Sequence, residues 1–379
     1  MVAVLLSVTA TLAMAPAAHA ITLEDAIASA REHNLDLQLI QARTREAESM
    51  IGQARALLQP KLVANSSYTI NEYEIAFDLT ESIPPEFASL FPASEPNVIQ
   101  EKNFWMLSTT VQQTLFSGQA IPLMAAARNS VTAARADEDG FETQIFAGVV
   151  KAYHGLHAAR GAVALSDQAS QTAVRQLELA KRQVDAGSAP PRALLQAELG
   201  LSRAAREQKD ARQRLTSAEE AFRLLTGLDP TVTLDTPPDV AAPASLDQAF
   251  DDAETSRPEL RGDSARLRAA RQQRAANWAG WLPQVNGRAT YLYNGNTPFF
   301  DDPTMWMVVF EGQWTLWDGG FRLAQDRAFA SQVHQAELAA TRRALTIRAE
   351  VREAWERYQR AESALTAAER ELDLAKENA

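Results

Sequence analysis

His154 and His157 stand three residues apart in a helical stretch, a spacing at which two imidazoles can share a metal ion. No carboxylate partner is evident beside them, so the pair reads as surface histidines. The run Asp137-Glu138-Asp139 could attract cations to a water-filled passage, but a solvated helix face explains three successive carboxylates more simply. Glu311 is the sharper case, because it falls on the polar side of a segment that alternates apolar and polar residues. Nothing in the chain resembles a Gly-x-x-x-x-Gly-Lys phosphate loop or a nucleophile–base set. No catalytic, cofactor-binding or metal residue is assigned, and an enzyme is not expected.

Composition narrows the field further. The 379 residues contain no Cys and carry a formal charge of −11. Without Cys there are no disulfides, no thiol nucleophile and no Cys-zinc site. The acidic balance argues against nucleic acid as a partner, since phosphate binding needs a basic footprint. Alanine makes up nearly a fifth of the chain, with 70 Ala against 16 Gly. That excess favours long helices over a mixed fold.

Residues 1–20 have no charged side chain and end in the small-x-small run Ala18-His19-Ala20. They resemble a secretory signal peptide cleaved after Ala20, although the usual basic start is missing. No later stretch offers the ~18 apolar residues of a membrane-crossing helix. The exported chain is therefore not expected to be a helical membrane protein.

Beyond residue 20 the sequence repeats itself. Thr22-Leu-Glu-Asp25 and Ser245-Leu-Asp-Gln248 both read as helix N-caps. They stand 223 residues apart, as do Pro60 and Pro283, which close the helices just begun. The series Leu23, Ala30, Leu37, Thr44, Ile51, Leu58 answers to Leu246, Ala253, Leu260, Leu267, Arg274, Trp281. Internal duplication accounts for this. From Ile145 a heptad places Val149, Leu156, Val163, Ser170, Leu177 and Val184 at one seam position, beside Ala152, Ala159, Ser166, Ala173 and Ala180. Val351, Tyr358, Leu365 and Leu372 repeat that register 202 residues later. Leu194, Leu201, Gln208, Leu215 and Phe222 mark a third such helix. Sustained heptads with small seam residues imply close coiled-coil packing.

These spacings predict a helix over 22–59, a long one over 119–186 and a return helix over 192–226. The long helix would run ~100 Å at 1.5 Å per residue. Gly187 to Pro191 supplies the turn between the last two. Residues 227–244 read as a linker, and a second copy, 245–379, would hold its own long helix over 319–379.

The segments between these helices alternate with a period of two. They are Lys61 to Phe77, Asn103 to Phe116, Gln284 to Gly295 and Met305 to Trp317, giving hairpins over 61–116 and 284–317. Trp105, Leu107 and Val111 oppose Ser108, Thr110 and Gln112, while Trp306, Val308, Phe310, Trp314 and Leu316 oppose Met307, Val309, Glu311, Gln313 and Thr315. Apolar outward and polar inward, with six of seven Trp in or beside these segments, is the pattern of a membrane β-barrel. On that basis Glu311, Gln313, Ser108, Thr110 and Gln112 are the candidate pore-lining residues. Residues 78–102, with four prolines, read as an exposed loop. Pro60, Gly118, Pro283 and Gly319 mark the strand–helix turns. Four strands are too few to close a barrel, so the chain must associate.

The duplicated order of helix, Pro, hairpin, Leu-Phe-Ser-Gly or Leu-Trp-Asp-Gly-Gly, and long helix resembles the TolC family of outer-membrane efflux proteins over nearly all of 21–379. The resemblance implies a mainly helical fold with a membrane β-barrel part. Antiparallel coiled-coil helices would form an α-barrel tunnel, and three copies would build a twelve-stranded barrel. It also implies a homotrimer in the outer membrane of a Gram-negative bacterium, reaching into the periplasm, with a periplasmic adaptor (membrane fusion) protein and an inner-membrane transporter as partners. No cofactor is implied. Gly187, Pro190, Pro191, Arg192 and Leu194 would form the helix-hairpin tip that docks the adaptor, although the family often has an acidic residue where Arg192 stands. The expected function is a passive exit duct for small molecules in a tripartite pump. The alternatives are a type I protein-secretion duct or a soluble periplasmic coiled-coil scaffold. The second tip would fall beyond Ala379, so the second repeat is expected to be truncated before its return helix.

Overall fold

The computed structural model describes residues 20–77, 97–236, 242–297 and 302–377. The expected signal peptide lies outside them except for Ala20. The helices are α1 (Leu23–His33), α2 (Leu35–Ala56), α3 (Ala120–Asp185), α4 (Pro191–Thr226), α5 (Leu246–Ser256), α6 (Pro258–Ala279) and α7 (Phe321–Glu377). The strands are β1 (Lys61–Ile70), β2 (Ile75–Phe77), β3 (Asn97–Gln100), β4 (Asn103–Phe116), β5 (Gln284–Asn294) and β6 (Thr304–Gln313). The fold is thus mainly helical with a small antiparallel part.

The chain forms two compact units, and each draws on both halves of the sequence. One takes the residues up to Arg43 together with Asp137–Pro258, the other Thr44–Ala136 and Glu259–Ala379.

In the first unit, seam periodicity governs the packing. Ala26, Ala30, Val149, Tyr153, Leu156 and Phe222 form the buried cluster, with Ile145, Ala152, Leu215 and Leu225 against it. The seam positions of α3 from Ile145 to Val184 are all buried or half-buried, and those of α4 likewise. The helix expected over 22–59 is instead two helices. Asn34 closes α1 through its N–H to the Ala30 carbonyl, and its Oδ1 accepts from the N–H groups of Asp36 (3.0 Å) and Leu37 (3.1 Å) to open α2. A side chain that caps one helix while ending another breaks the run without disturbing the apolar period. The second copy breaks between α5 and α6, where Arg257 precedes Pro258 and is held extended.

Part of the expected linker is also core. Leu228 and Leu234 pack on the cluster, and Ile21 forms a parallel bridge with Leu234. The fully buried Tyr153 hydroxyl donates, shared, to the carbonyls of Ile21 and Asp235, each at 2.8 Å. Burial, with Asp235 adding to it, pushes the phenol above its ordinary value, so it stays a donor. Tyr153→Phe is expected to cost roughly 1–3 kcal/mol, because two carbonyls lose their donor. Faster hydrogen exchange at the Ile21 and Asp235 amides would report it.

In the second unit β1, β4, β5 and β6 form one antiparallel sheet in that order, and β2 pairs with β3 in a separate ribbon. The two hairpins are therefore joined edge to edge, with β4 against β5. Three expectations change here. The strand expected over Lys61–Phe77 ends at Ile70. The loop expected over 78–102 contributes β3 at its end, while 78–96 lies outside the described residues. The strand expected over Met305–Trp317 ends at Gln313, because Trp314 turns back and its indole N–H donates to the Trp281 carbonyl at 2.9 Å. Thr315, assigned to the polar side of that strand, consequently has no strand position.

Polar clasps hold α6 to α7. Arg274 reaches Asp326 with two hydrogen bonds of 2.8 and 3.1 Å, and Trp278 donates to the same carboxylate at 2.8 Å. The Arg274 hydrogen bonds lead in holding the Asp326 carboxyl below its ordinary range, with Trp278 helping. A depressed folded-state pKa contributes stability that is present above the unfolded carboxylate pKa of ~3.9 and is lost as pH falls through the folded value. Asp326→Asn should therefore lower the thermal midpoint at pH 7 by more than at pH 3. An equal loss at both pH values would show that the charge is immaterial.

Candidate functional site

Residues directly opposite in an antiparallel ladder share a face, so the register assigns every strand side chain to one of two sides. One rung runs Leu62, Val111, Ala289, Val308 and is wholly apolar. On the same side the next rungs carry Tyr291 and Trp306, then Tyr293, with Tyr68 against Trp105 (ring centroids 5.0 Å apart) beyond them. Toward the helix-bearing end this side carries Phe310, and Trp281, Trp314 and Trp317 follow near the strand ends. An apolar band between two aromatic belts results. Its side chains are open: Leu62 is 70%, Phe310 73% and Trp306 75% exposed.

The opposite face is the more polar one, although Val63, Leu292, Met305, Met307 and Val309 share it. Ser108, Thr110 and Gln112 of β4 share it with Asn65 and Ser67 of β1 and with Asn286 and Thr290 of β5. Glu311 is opposite Asn286, and Gln313 is opposite Gln284. The register thus brings together all five side chains singled out from the alternation. Thr110 and Thr290 are hydroxyl to hydroxyl at 3.0 Å, a cross-strand bond on this face.

Two cations on this face were not singled out from the sequence. Lys61 and Arg288 share one rung, with Gln112 between them and Val309 completing it. With Glu311 they are the only charged residues of the four strands, and all three lie on the polar face. The signal was present: each occupies a polar phase of its own strand. It becomes useful only once the pairing of β4 with β5 fixes which rungs align.

Where strands meet helices the backbone is crowded. A Cβ at Gly118 would lie 2.7 Å from the Ala279 carbonyl oxygen and 2.7 Å from Leu282 Cδ1. Gly319 is different, since it sits at φ +70° with open space around it. Pro60 and Pro283 precede β1 and β5 directly. Arg322 pairs with Asp318 at 3.1 Å, and its guanidinium lies 4.6 Å from the centre of the Trp281 ring.

At the α3–α4 turn, Gly187 adopts φ +72°, and the Gln183 carbonyl accepts from the Ser188 and Ala189 N–H groups. Pro190 is the N-cap residue of α4 and Pro191 its first residue. Pro190 and Arg192 are exposed and Leu194 is half-buried. His154 and His157 are both exposed on α3, and no group of three metal-type ligands occurs among the described residues. Asp137 and Asp139 are exposed and Glu138 half-buried. None of the described helices is long and apolar enough to cross a membrane.

The family model described as "Outer membrane efflux protein" matches residues 26–228 and 249–379. Among solved structures, the outer-membrane channel OprN is similar at 18% identity and TM-score 0.71, covering 91% of this chain and 76% of that one. The Campylobacter jejuni CmeC outer membrane channel is similar at 14% identity and TM-score 0.70, covering 94% and 76%. The outer membrane protein VceC of Vibrio cholerae is similar at 18% identity and TM-score 0.66, covering 86% and 75%. The search of curated proteins gave no match. At these identities the structural likeness speaks for the fold.

Proposed function

This chain belongs to the outer membrane efflux protein family, and from that premise we propose that it is a passive exit duct for small molecules, built by three copies in the outer membrane of a Gram-negative bacterium. The family is one of efflux channels rather than enzymes. One observation carries the reading: a four-stranded sheet with an apolar, aromatic-edged outer face and a more polar inner one, whose end strands β1 and β6 are each paired on one side only among the described residues.

Such a sheet suits lipid on one side and water on the other. In a bilayer its two edges would leave backbone groups unpaired at several kcal/mol each, so β6 of one copy must pair with β1 of the next. Three copies give twelve strands, an even number within the range of bacterial barrels. The polar face, with Glu311, Gln313, Ser108, Thr110 and Gln112, then lines the lumen.

The helices continue the path into the periplasm. Gly187, Pro190, Pro191, Arg192 and Leu194 form the turn offered to a periplasmic adaptor, which connects the duct to an inner-membrane transporter. The duct holds no energy source of its own, so that transporter drives the cargo. Opening would follow from small shifts of the packed helices at the tip. The two repeats, 21–226 and 245–379, supply one hairpin each to the barrel, and the signal at 1–20 directs export.

Conductance tests this directly. Protein extracted from the outer membrane and added to a planar lipid bilayer should produce discrete current steps. Tightly membrane-bound protein that never conducts would overturn the duct.

A further inference from the structure

The four strands hold three charged residues, and their placement is uneven. Lys61 and Arg288 occupy one rung of the polar face, two strands apart and so roughly 10 Å from each other at the ~4.8 Å strand spacing. Glu311 lies on the next rung toward the helix-bearing end, opposite Asn286. All three side chains are exposed. Each chain therefore contributes two cations and one carboxylate, and no charge elsewhere on either face of these strands.

We propose that Lys61 and Arg288 form a basic ring at the helix-bearing end of the barrel lumen, and that this ring favours anionic cargo over cationic. The inference rests on the duct reading and adds the charge class of the solute to it. Three copies place three lysines and three arginines around the lumen in two closely spaced tiers, because tilted strands carry each rung obliquely to the barrel axis. The carboxylates of Glu311 form a smaller ring one rung nearer the helices. A solute arriving from the helical side meets Glu311 first and the basic ring directly after.

The physical reason is local. Charges lining a narrow aqueous passage between low-dielectric walls focus their field along it and set the local concentration of counter-ions. Screening limits the reach to about 10 Å at 0.1 M salt and 3 Å at 1 M. The ring should therefore act strongly in dilute salt and fade in concentrated salt, which a purely structural role for these residues would not do. The chemical class is organic anions, carrying carboxylate, sulfonate or phosphate groups.

Reversal potentials of the full-length trimer across a tenfold KCl gradient test it. The double variant Lys61→Gln/Arg288→Gln should lower the chloride-to-potassium permeability ratio at least twofold. Glu311→Gln should raise it, and both shifts should shrink when the dilute side is raised toward 1 M. Inorganic tripolyphosphate added on the helical side should block the wild type at lower concentration than the double variant. Cross-linked mass confirms that each variant still assembles. Unchanged permeability ratios and unchanged block in conducting, assembled variants would overturn the ring while leaving the duct intact. An assembled wild type without conductance would remove the duct, and the ring with it.

Discussion

Val111→Arg is expected to prevent stable insertion, while Gln112→Arg, one residue further along the same strand, inserts normally. Val111 lies in the centre of β4, in the rung whose other members are Leu62, Ala289 and Val308. If that rung faces hydrocarbon, an arginine there costs about 2–4 kcal/mol per chain near the bilayer midplane. Three copies multiply the penalty within one assembly. Gln112 is on the other face, exposed, and between Lys61 and Arg288. An added guanidinium there stays in water. The check is the fraction of each variant recovered from outer membranes as a detergent-extracted oligomer. Equal recovery of both would mean that the apolar face does not contact lipid.

Gly118→Val should be the most damaging change at the strand–helix turns. Even the Cβ of alanine would press on the Ala279 carbonyl oxygen and Leu282, each at 2.7 Å. Backbone atoms yield poorly, and overpacking of this kind costs roughly 1–3 kcal/mol before the valine methyls are added. At Gly319 the obstacle is conformational. Its φ of +70° disfavours a Cβ by about 1–2 kcal/mol, and asparagine tolerates that region better than alanine. The expected order of thermal midpoints is therefore Gly319→Asn above Gly319→Ala, with Gly118→Val lowest. A Gly118→Val midpoint at or above that of Gly319→Ala would show that the turn relaxes where the packing says it cannot.

The long helices were legible in the sequence because their signal is repeated many times. A heptad sustained from Ile145 to Val184 averages over local irregularities, and α3 ends within one residue of its expected limits at both ends. The helix break at Asn34 was not legible in this way. It depends on one side chain capping forward to Leu37 while its amide donates to the Leu225 carbonyl, a contact 191 residues away. At Arg257-Pro258 the proline was a visible stop signal, but the apolar series runs through it unchanged. Strand phase was readable from Trp105, Leu107 and Val111. Strand length was less so: Trp314 continues the alternation, yet a hydrogen bond to Trp281 draws it out of the sheet. The polar face was legible strand by strand, whereas the pairing of β4 with β5 was not. That pairing, together with the register of β1 on β4, puts Lys61 and Arg288 on one rung.

Closure of one barrel by three copies of this chain in the outer membrane is the step on which the proposed duct depends. The most direct measurement is the cross-linked mass of the full-length exported protein after fractionation of a double-membraned bacterium. A trimeric duct requires protein released from the outer membrane only by detergent, with a cross-linked mass of three chains. A monomer or dimer free in the periplasm would contradict it. The alternating segments would then be soluble strands, and the chain a helical scaffold.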